Sequence, residues 1–359
     1  MTGQDDGVRS QSALGRSTAS VPSGRVERTR ALGWIAVVVV AMAAVLSLAT
    51  GVLGWSGEKG IAQVVALRTW LLWGFASMAV VALLTALVIG SRGRRPARTI
   101  SVALVCALAA GSHLLVLDSR GLDAGLPLDA ADERDGDITV LTANVRGERA
   151  GEETVSAIVD LIISSGADVV ALPEGQPVVD EVVAQLIGHG ESFQSFPAFG
   201  AGPNRGTALL VAESLGTYRE VDGPVGGVRV VPVDGDGPPI AAVHPTSLPP
   251  DPTADLGAWR SEGSQLRALF RTMTGGIVAG DMNATLDHQQ LRETGTYVDA
   301  GSAAGIGGYG TFPSSLPGVL GTAIDHVLVD RGRFTVRAGA VVDVPGTDHR
   351  AVVVRVAQR

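Results

Sequence analysis

Apolar residues are concentrated in the first third of the chain, in three uncharged stretches at residues 31–57, 69–91 and 99–117. Each stretch is bounded by charged residues and is close to or longer than the ~18–20 residues that cross a bilayer core as a helix. The first stretch could instead be a cleavable signal peptide. It is longer than the ~7–15 apolar residues of such a signal, however, and two further stretches follow it. The pattern therefore predicts three transmembrane helices between residues 31 and 117.

From residue 138 onward, short β-branched runs alternate with Gly, Pro and Asp, which is typical of strands and turns. Apolar residues at three- and four-residue steps indicate helices between them. We therefore expect an α+β domain over residues 138–359, a four-layer α/β/β/α sandwich of two packed mixed sheets. The predicted strands are 138–145, 168–172, 207–211, 228–233, 240–243, 276–279, 323–329 and 351–356, and the predicted helices are 153–164, 178–187 and 256–273.

The net charge of −8 is unevenly divided along the chain. Residues 1–117 carry 11 Lys and Arg against 4 acidic residues, whereas residues 118–359 carry 17 Arg against 32. Five arginines precede the first span and four more lie between the second and third. Because Lys and Arg accumulate in cytoplasmic connections, we expect a multi-pass protein of the cell membrane and cell envelope, with a cytoplasmic N-terminus and the acidic domain outside.

Two segments lack the composition of a packed core. Residues 1–30, rich in Ser, Gly and Arg, are expected to be a disordered cytoplasmic tail, and residues 118–137, rich in Gly, Pro and Asp, a linker. The only cysteine, Cys106, excludes an intrachain disulfide. The spans carry few polar groups such as His113, so anchoring rather than ion transfer is their expected role.

Polar residues follow apolar runs at several predicted strand ends. Taken singly, such residues are common in turns. Carboxylate and amide oxygens also bind hard cations, and imidazoles transfer protons near neutral pH. Their joint order predicts one site that contains Asn144, Glu174, His244, Asp281, Asn283, Asp325, Asp348 and His349.

The motifs around these residues resemble those of the endonuclease/exonuclease/phosphatase superfamily, which includes DNase-I-like nucleases, sphingomyelinases and inositol-phosphate phosphatases. GDMN resembles the GDxN of that group, TDHR its SDHR, ALPE its strand-end glutamate, and IDHV its Ile-Asp strand. The resemblance covers essentially all of residues 138–359. It implies a metal-dependent hydrolase of phosphoester or pyrophosphate bonds.

The same resemblance implies a role for each carboxylate and amide. Glu174, with Asn144 and Asp348 nearby, would hold Mg²⁺ or Mn²⁺, which polarises the phosphate. Asp281 would orient or deprotonate the attacking water, and Asn283 would hold a phosphate oxygen. Which carboxylate acts as the base stays open.

The histidines would donate hydrogen bonds to phosphoryl oxygens or exchange protons. These are His244 and His349, with Asp325 and Asp348 fixing the orientation of the imidazoles. His326 adjoins Asp325, but neighbouring residues of a strand face opposite ways, so it is expected to pack behind the site.

Three further polar residues have ordinary as well as functional interpretations. His189 and His288 lie in polar contexts and are expected to be exposed. Arg205 precedes a predicted strand, where it is either a contact for substrate phosphate or an ordinary surface arginine.

A narrower resemblance concerns the substrate. Three N-terminal spans, an external domain, and a His-Pro motif followed by prolines and a Trp-containing helix (VHPTSLPPDPTADLGAW) resemble the membrane-bound VanJ-like group linked to teicoplanin resistance. Members of that group are associated with dephosphorylation of undecaprenyl pyrophosphate. The resemblance implies a polyprenyl pyrophosphate as substrate, with the bilayer and a lipid phosphate as partners.

Two alternatives remain from the sequence. The domain could be an extracellular nuclease or a sphingomyelinase-like phosphodiesterase. Its 32 acidic residues outnumber its 17 arginines, however, which disfavours nucleic acid as a partner. It could also be a binding module that has lost catalysis, although every expected polar position is filled.

Overall fold

Four helices form the N-terminal part of the structure, a computed structural model that describes residues 23–198, 206–224 and 226–359. They are α1 (Ser23–Ala49), α2 (Ile61–Ala66), α3 (Arg68–Ser91) and α4 (Ala97–Asp118). Within the described residues, three helical segments are long and apolar enough to cross a membrane, namely Ala31–Ala49, Arg68–Ser91 and Ala97–Asp118. The three apolar helices predicted from the sequence are therefore confirmed.

Both ends of α1 differ from the prediction. The helix begins at Ser23, inside the segment expected to be a disordered tail, while residues 1–22 of that segment lie outside the described residues. It ends at Ala49 rather than near residue 57, and the chain then turns through Gly54 and Gly60, both with positive φ. The short helix α2, which the sequence analysis did not predict, follows this turn.

The rest of the described chain contains twelve strands and five further α-helices, besides four short 3-10 helices and the loops. The helices are α5 (Glu152–Ser165), α6 (Val179–Gly188), α7 (Gly257–Thr272), α8 (Gln289–Arg292) and α9 (Ala300–Ala303). The strands are β1 (Asp137–Thr142), β2 (Val169–Leu172), β3 (Phe193–Pro197), β4 (Ala208–Ala212), β5 (Tyr218–Val221), β6 (Val228–Pro232), β7 (Ile240–Val243), β8 (Ile277–Asp281), β9 (Tyr297–Asp299), β10 (Asp325–Asp330), β11 (Phe334–Asp343) and β12 (Arg350–Gln358).

The strands form two six-stranded sheets, with orders β11-β12-β1-β2-β4-β3 and β5-β6-β7-β8-β10-β9. In each sheet one parallel pair, β1 with β2 or β7 with β8, lies among antiparallel pairs, so both sheets are mixed. The eight predicted strands correspond to β1, β2, β4, β6, β7, β8, β10 and β12. The prediction missed β3, β5, β9 and β11.

The core has three apolar layers. The first, with Val140, Ile240 and Val354, lies between the sheets. The second joins α5 and α6 to the outer face of the first sheet, and the third joins α7 to the outer face of the second. These layers confirm the four-layer sandwich.

The segment 118–137, expected to be a linker, packs against the sandwich. The carbonyls of Arg120 and Gly121 accept hydrogen bonds from the amides of Gly307 and Gly308 at 2.8 and 2.7 Å. The carbonyl of Ala124 accepts one from Val341 on β11 at 2.7 Å. The segment that follows α4 is therefore in direct contact with the sandwich.

Candidate active site

The first sheet brings three of the predicted residues to one end of the sandwich. Strands β1 and β2 are parallel, so Asn144 and Glu174, which follow them, leave the sheet side by side. Strand β12 runs antiparallel to β1, and His349 immediately precedes it. The Thr347 hydroxyl donates to the Asn144 carbonyl at 2.7 Å, which ties the loop before β12 to the end of β1.

The second sheet contributes three more residues at the same end. His244 follows β7, and Asp281 ends the parallel neighbour β8. Asp325 begins β10 and is the direct cross-strand partner of Asp281. Because the sheets pack face to face, these residues meet those of the first sheet.

A single amide joins the two sheets at the site. The Nδ2 of Asn144 donates to Glu174 Oε1 at 3.2 Å and to Asp281 Oδ2 at 3.1 Å, while its Oδ1 accepts from the Arg146 amide at 2.9 Å. Asn144 and Asp281 are each 2 % exposed. The predicted metal-binding pair and the predicted water-activating carboxylate are therefore in direct contact.

Two imidazoles face the same carboxylate oxygen. His349 Nε2 lies 3.9 Å and His244 Nε2 3.6 Å from Asp281 Oδ2. His349 Nδ1 is hydrogen-bonded to Asp325 Oδ2 at 2.9 Å, which fixes the ring orientation. The geometry agrees with the orienting role expected for Asp325, and the chemical roles of these residues stay predictions.

The electrostatics of the site follow from its burial. Burial raises the pKa of Asp281, and the neighbouring Asp325 raises it further against the opposing effect of His349 and His244. For His349, burial lowers the pKa, but the Asp325 and Asp281 carboxylates outweigh it and raise the pKa to about 10. The two carboxylates therefore favour the protonated form of His349, whose Nε2 faces the site.

Backbone strain is concentrated at this end of the molecule. Among the described residues, Arg146, Glu174 and Asn283 are the only ones other than glycine with positive φ, at 61°, 58° and 46°. Such conformations cost energy and persist where the surrounding structure holds them, commonly at functional sites. All three follow strands whose ends supply the site.

Asn283 is held by three contacts next to the cluster. Its amide donates to Asp281 Oδ1 at 2.9 Å, and its side-chain Nδ2 donates to the Pro245 carbonyl at 2.9 Å. The indole of Trp259 on α7 donates to the Asn283 carbonyl at 3.0 Å. The loops after β7 and β8 are thereby locked together.

Asp348 lies apart from the other predicted ligands. Its side chain is 37 % exposed, and its Oδ2 lies 3.6 Å from Arg146 Nε. It does not line the cavity described below. Its assignment to the metal stays a prediction, with less geometric support than that of Asn144 and Glu174.

The donor set suits a divalent cation. Asp281, Asp325 and His349 each offer one ligand atom within 4.8 Å of the others. The buried Oδ1 of Asp325 has no hydrogen-bond partner among the described residues. Carboxylate-rich donor sets of this kind fit Mg²⁺ or Mn²⁺. The group differs from the predicted set of Asn144, Glu174 and Asp348, but Asn144 joins Glu174 to Asp281.

The remaining histidines divide as follows. His326 is buried behind the site between Asp299 Oδ2 and the Ala284 carbonyl, as expected, and His189 is exposed. His288 was expected to be exposed, which is wrong, because it is fully buried. Its partner is the Ala62 carbonyl of α2, a contact distant in sequence. Arg205 lies outside the described residues.

The cluster forms one end of a cavity of about 660 Å³. Sequence reasoning missed its other walls. They are Gln63, Ala66 and Leu67 at α2, the 245–250 loop with Leu248, Pro249 and Pro250, and Phe312, Thr322 and Ile324. The 245–250 loop belongs to the His-Pro motif of the sequence, whereas the residues at α2 and Phe312, Thr322 and Ile324 carry no motif.

A four-layer sandwich that gathers carboxylates, an amide and imidazoles at its strand ends is the arrangement of a phosphoester hydrolase. Residues 141–349 match the model of the Endonuclease/Exonuclease/phosphatase family, and the chain belongs to this family. Its members generally hydrolyse phosphoester bonds, often with a divalent metal.

Solved structures with similar folds are distant in sequence. The catalytic domain of human Nocturnin with bound sulfate is 18% identical with a TM-score of 0.47, covering 63% of this chain and 96% of that one. D. rerio TDP2 complexed with single-strand DNA product is 15% identical (TM-score 0.46; 62% and 99%). An endonuclease/exonuclease/phosphatase from Beutenbergia cavernae is 18% identical (TM-score 0.43; 62% and 72%). No curated protein sequence matches this chain.

Proposed function

We propose that this protein is a membrane-anchored, Mg²⁺- or Mn²⁺-dependent hydrolase that removes phosphate from a lipid phosphate outside the membrane, with a polyprenyl pyrophosphate such as undecaprenyl pyrophosphate as substrate. The observation that carries the proposal is the shared cavity. Its polar end holds Asn144, Glu174, Asp281 and both facing histidines. The other end is mostly apolar, with Gln63 and Thr322 among its polar residues, and includes Leu67, the residue before a candidate membrane span.

The residues of the polar end support this chemistry. A divalent cation held by Glu174 and neighbouring oxygens would polarise the phosphate and neutralise its charge. Asp281, whose pKa is raised by burial, is suited to accept a proton from water at Oδ2. His349 and His244 would donate from Nε2 to phosphoryl oxygens, and Asp325 keeps the His349 ring in that orientation.

The apolar end and the charge of the domain favour a lipid over nucleic acid. Nucleic-acid binding relies on basic surface that neutralises phosphates, and residues 118–359 carry 32 acidic residues against 17 arginines. Part of the cavity wall is apolar, with Leu248, Pro250 and Ile324 among its residues. An amphipathic phosphate ester matches both ends.

A phosphate-release assay on the purified full-length chain in detergent tests the proposal. With Mg²⁺, undecaprenyl pyrophosphate should be hydrolysed faster than plasmid DNA or sphingomyelin, and EDTA should abolish the reaction. Glu174→Ala should lower the rate by at least about 100-fold, because several kcal/mol of charge stabilisation are lost. The exposed Glu181→Ala on α6 is the matched control. Faster hydrolysis of DNA or sphingomyelin would identify one of the alternative substrates instead.

The proposed topology has its own test. The arginines at 92, 94, 95 and 98 support a cytoplasmic loop between α3 and α4, which leaves the catalytic domain outside. Protease added to intact spheroplasts should then digest the catalytic domain. Protection of the domain until the cells are lysed would reverse the orientation.

A further inference from the structure

The first connection between membrane spans is part of the cavity wall. Gln63, Ala66 and Leu67 line the same cavity as the catalytic cluster. The Gln63 Nε2 donates to the carbonyl of Pro249 at 3.0 Å, so α2 and the 245–250 loop meet across the cavity. The membrane region thus supplies one side of the site as well as an anchor.

The loop that follows Asp281 and strand β8 also holds α2 in place. His288 Nδ1 accepts the Thr285 amide at 2.9 Å, so its Nε2–H donates to the Ala62 carbonyl at 3.0 Å. Burial lowers the pKa of His288, which keeps the ring neutral and this donor pattern intact. Ala62 packs with Leu256 and Trp259 in a small buried cluster.

The neighbouring residue fixes two spans. Asp287 Oδ2 accepts from Arg68 Nε at 2.6 Å, and Oδ1 accepts from Arg120 Nη2 at 2.6 Å. Each guanidinium makes a second hydrogen bond to the carboxylate, at 2.7 Å from Arg68 and 3.1 Å from Arg120. Arg68 begins α3 and Arg120 follows α4. The catalytic loop is therefore clamped to the outer ends of both helices.

Tryptophans mark the level of this junction in the bilayer. Trp55, Trp70 and Trp73 are 44 %, 47 % and 47 % exposed, and they flank α2 in the chain. Exposed tryptophans gather at the membrane–water interface. Leu67, which lies between them and is 45 % exposed, brings the apolar end of the cavity to that level.

We propose that Ala66 and Leu67 form a subsite for the hydrocarbon next to the phosphate of the lipid substrate, and that Asp287 and His288 are positioning residues that hold it. The inference rests on the proposed function and deepens it. The phosphate lies on the polar cluster, and the first carbons of the chain run along α2 toward the bilayer. The subsite favours substrates with a long apolar chain attached directly to the phosphate group.

The test compares undecaprenyl pyrophosphate with methyl pyrophosphate, which has the same head group on a single carbon, using the full-length protein. Leu67→Ser should lower the ratio of the two kcat/KM values about tenfold, as expected for losing part of one leucine's apolar contact. The matched control is Val64→Ser, on α2 three residues before Leu67, 43 % exposed and outside the cavity lining. It should leave the ratio as in the unchanged protein.

A second pair of variants tests the positioning role of His288. His288→Leu should raise KM for the long substrate about tenfold with a smaller change in kcat, and His288→Gln, which restores a donor toward Ala62, should recover most of the loss. An unchanged ratio in Leu67→Ser, or equal effects of Leu67→Ser and Val64→Ser, overturns the subsite while leaving the proposed function intact. Failure of the unchanged protein to hydrolyse either substrate overturns both.

Discussion

Two buried aspartates six residues apart, Asp281 at the end of β8 and Asp287 in the loop that follows it, have opposite environments. Asp281 faces two imidazoles and the Asn144 amide, and burial together with Asp325 raises its pKa. Burial also acts on Asp287, but hydrogen bonds and charge from Arg68 and Arg120 outweigh it and hold its pKa well below the usual range. The negative charge of Asp281 is poorly balanced by its neighbours, whereas that of Asp287 is balanced by two guanidinium groups.

This difference in charge balance assigns a functional role to Asp281 and a structural role to Asp287. A carboxylate whose charge is not balanced by the protein is suited to a cation, a water or a proton as its partner. The buried His244 Nδ1 and Asp325 Oδ1 also have no partner within the described residues, which places further unmet bonding capacity around Asp281. Asp287 has two guanidinium partners and serves to dock the domain on the bundle.

The largest effect is expected when Asp281 loses its charge. Asp281→Asn should lower kcat for phosphate release by about 10³-fold or more, because proton transfer and metal binding both depend on the carboxylate. Its melting temperature should stay the same or rise, since a buried and poorly compensated charge is removed. Assay and thermal denaturation on the same preparation check this. A variant that keeps a tenth of the activity would contradict the catalytic assignment.

The second aspartate should show the reverse pattern in stability. Asp287→Asn leaves two partly buried guanidinium groups, 11 % and 17 % exposed, without their counter-charge. It should cost about 3 kcal/mol, which corresponds to a fall in melting temperature of roughly 10 °C. Asp343→Asn is the control, because Asp343 also pairs with an arginine, Arg350, at 2.7 Å but is 78% exposed. That pair should contribute no more than about 1 kcal/mol. Equal losses in both variants would refute the docking role.

Binding of Mg²⁺ should distinguish the two aspartates by a smaller change in stability. Saturating Mg²⁺ at about 100 times its dissociation constant should stabilise the unchanged protein by about 2.7 kcal/mol. Glu174→Gln and Asp281→Asn should not be stabilised by Mg²⁺. Asp287→Asn should be stabilised by the same amount as the unchanged protein, although it is less stable without metal. Thermal melting with EDTA and after addition of Mg²⁺ measures the difference. Stabilisation that survives in Asp281→Asn would place the metal elsewhere.

A third carboxylate sharpens the comparison through pH. Asp168 accepts one backbone hydrogen bond, from Thr139 at 2.9 Å, and burial raises its pKa from 3.8 to about 6. A raised carboxyl pKa stabilises the folded state below pH 3.8, and this contribution is lost as pH rises through about 6. Relative to Asp168→Asn, the unchanged protein should therefore lose on the order of 2 kcal/mol across that window. Parallel stability curves for the two proteins would refute this.

The strands that the sequence failed to predict share one position. The missed strands β3, β5, β9 and β11 are the two edges of each sheet, in the described chain. Edge strands are less covered than central ones: in β5, Tyr218–Val221, only Tyr218 is buried, and the charged residues Arg219 and Glu220 are exposed. A continuous apolar run marks only a strand covered on both faces. The sequence pattern therefore revealed the centre of each sheet and not its borders.

The site divides in the same way. Motif residues such as Asn144, Asp281 and His349 could be predicted because each follows or precedes an apolar strand. The α2 wall could not, because Ala66 and Leu67 look like any apolar residues beside a span. The buried state of His288 depends on the Ala62 carbonyl, 226 residues away in sequence. Contacts of this range leave no periodic pattern in the sequence.

The clamp at Asp287 has a consequence for kinetics. In the proposed topology, it holds the catalytic end at one height above the bilayer, since Arg68 and Arg120 adjoin two different candidate spans. Under the proposed function, enzyme and lipid then meet by lateral diffusion in a plane. Turnover would follow the mole fraction of substrate in the membrane rather than its bulk concentration, so inert lipid added to the same bilayer would slow the reaction by surface dilution alone.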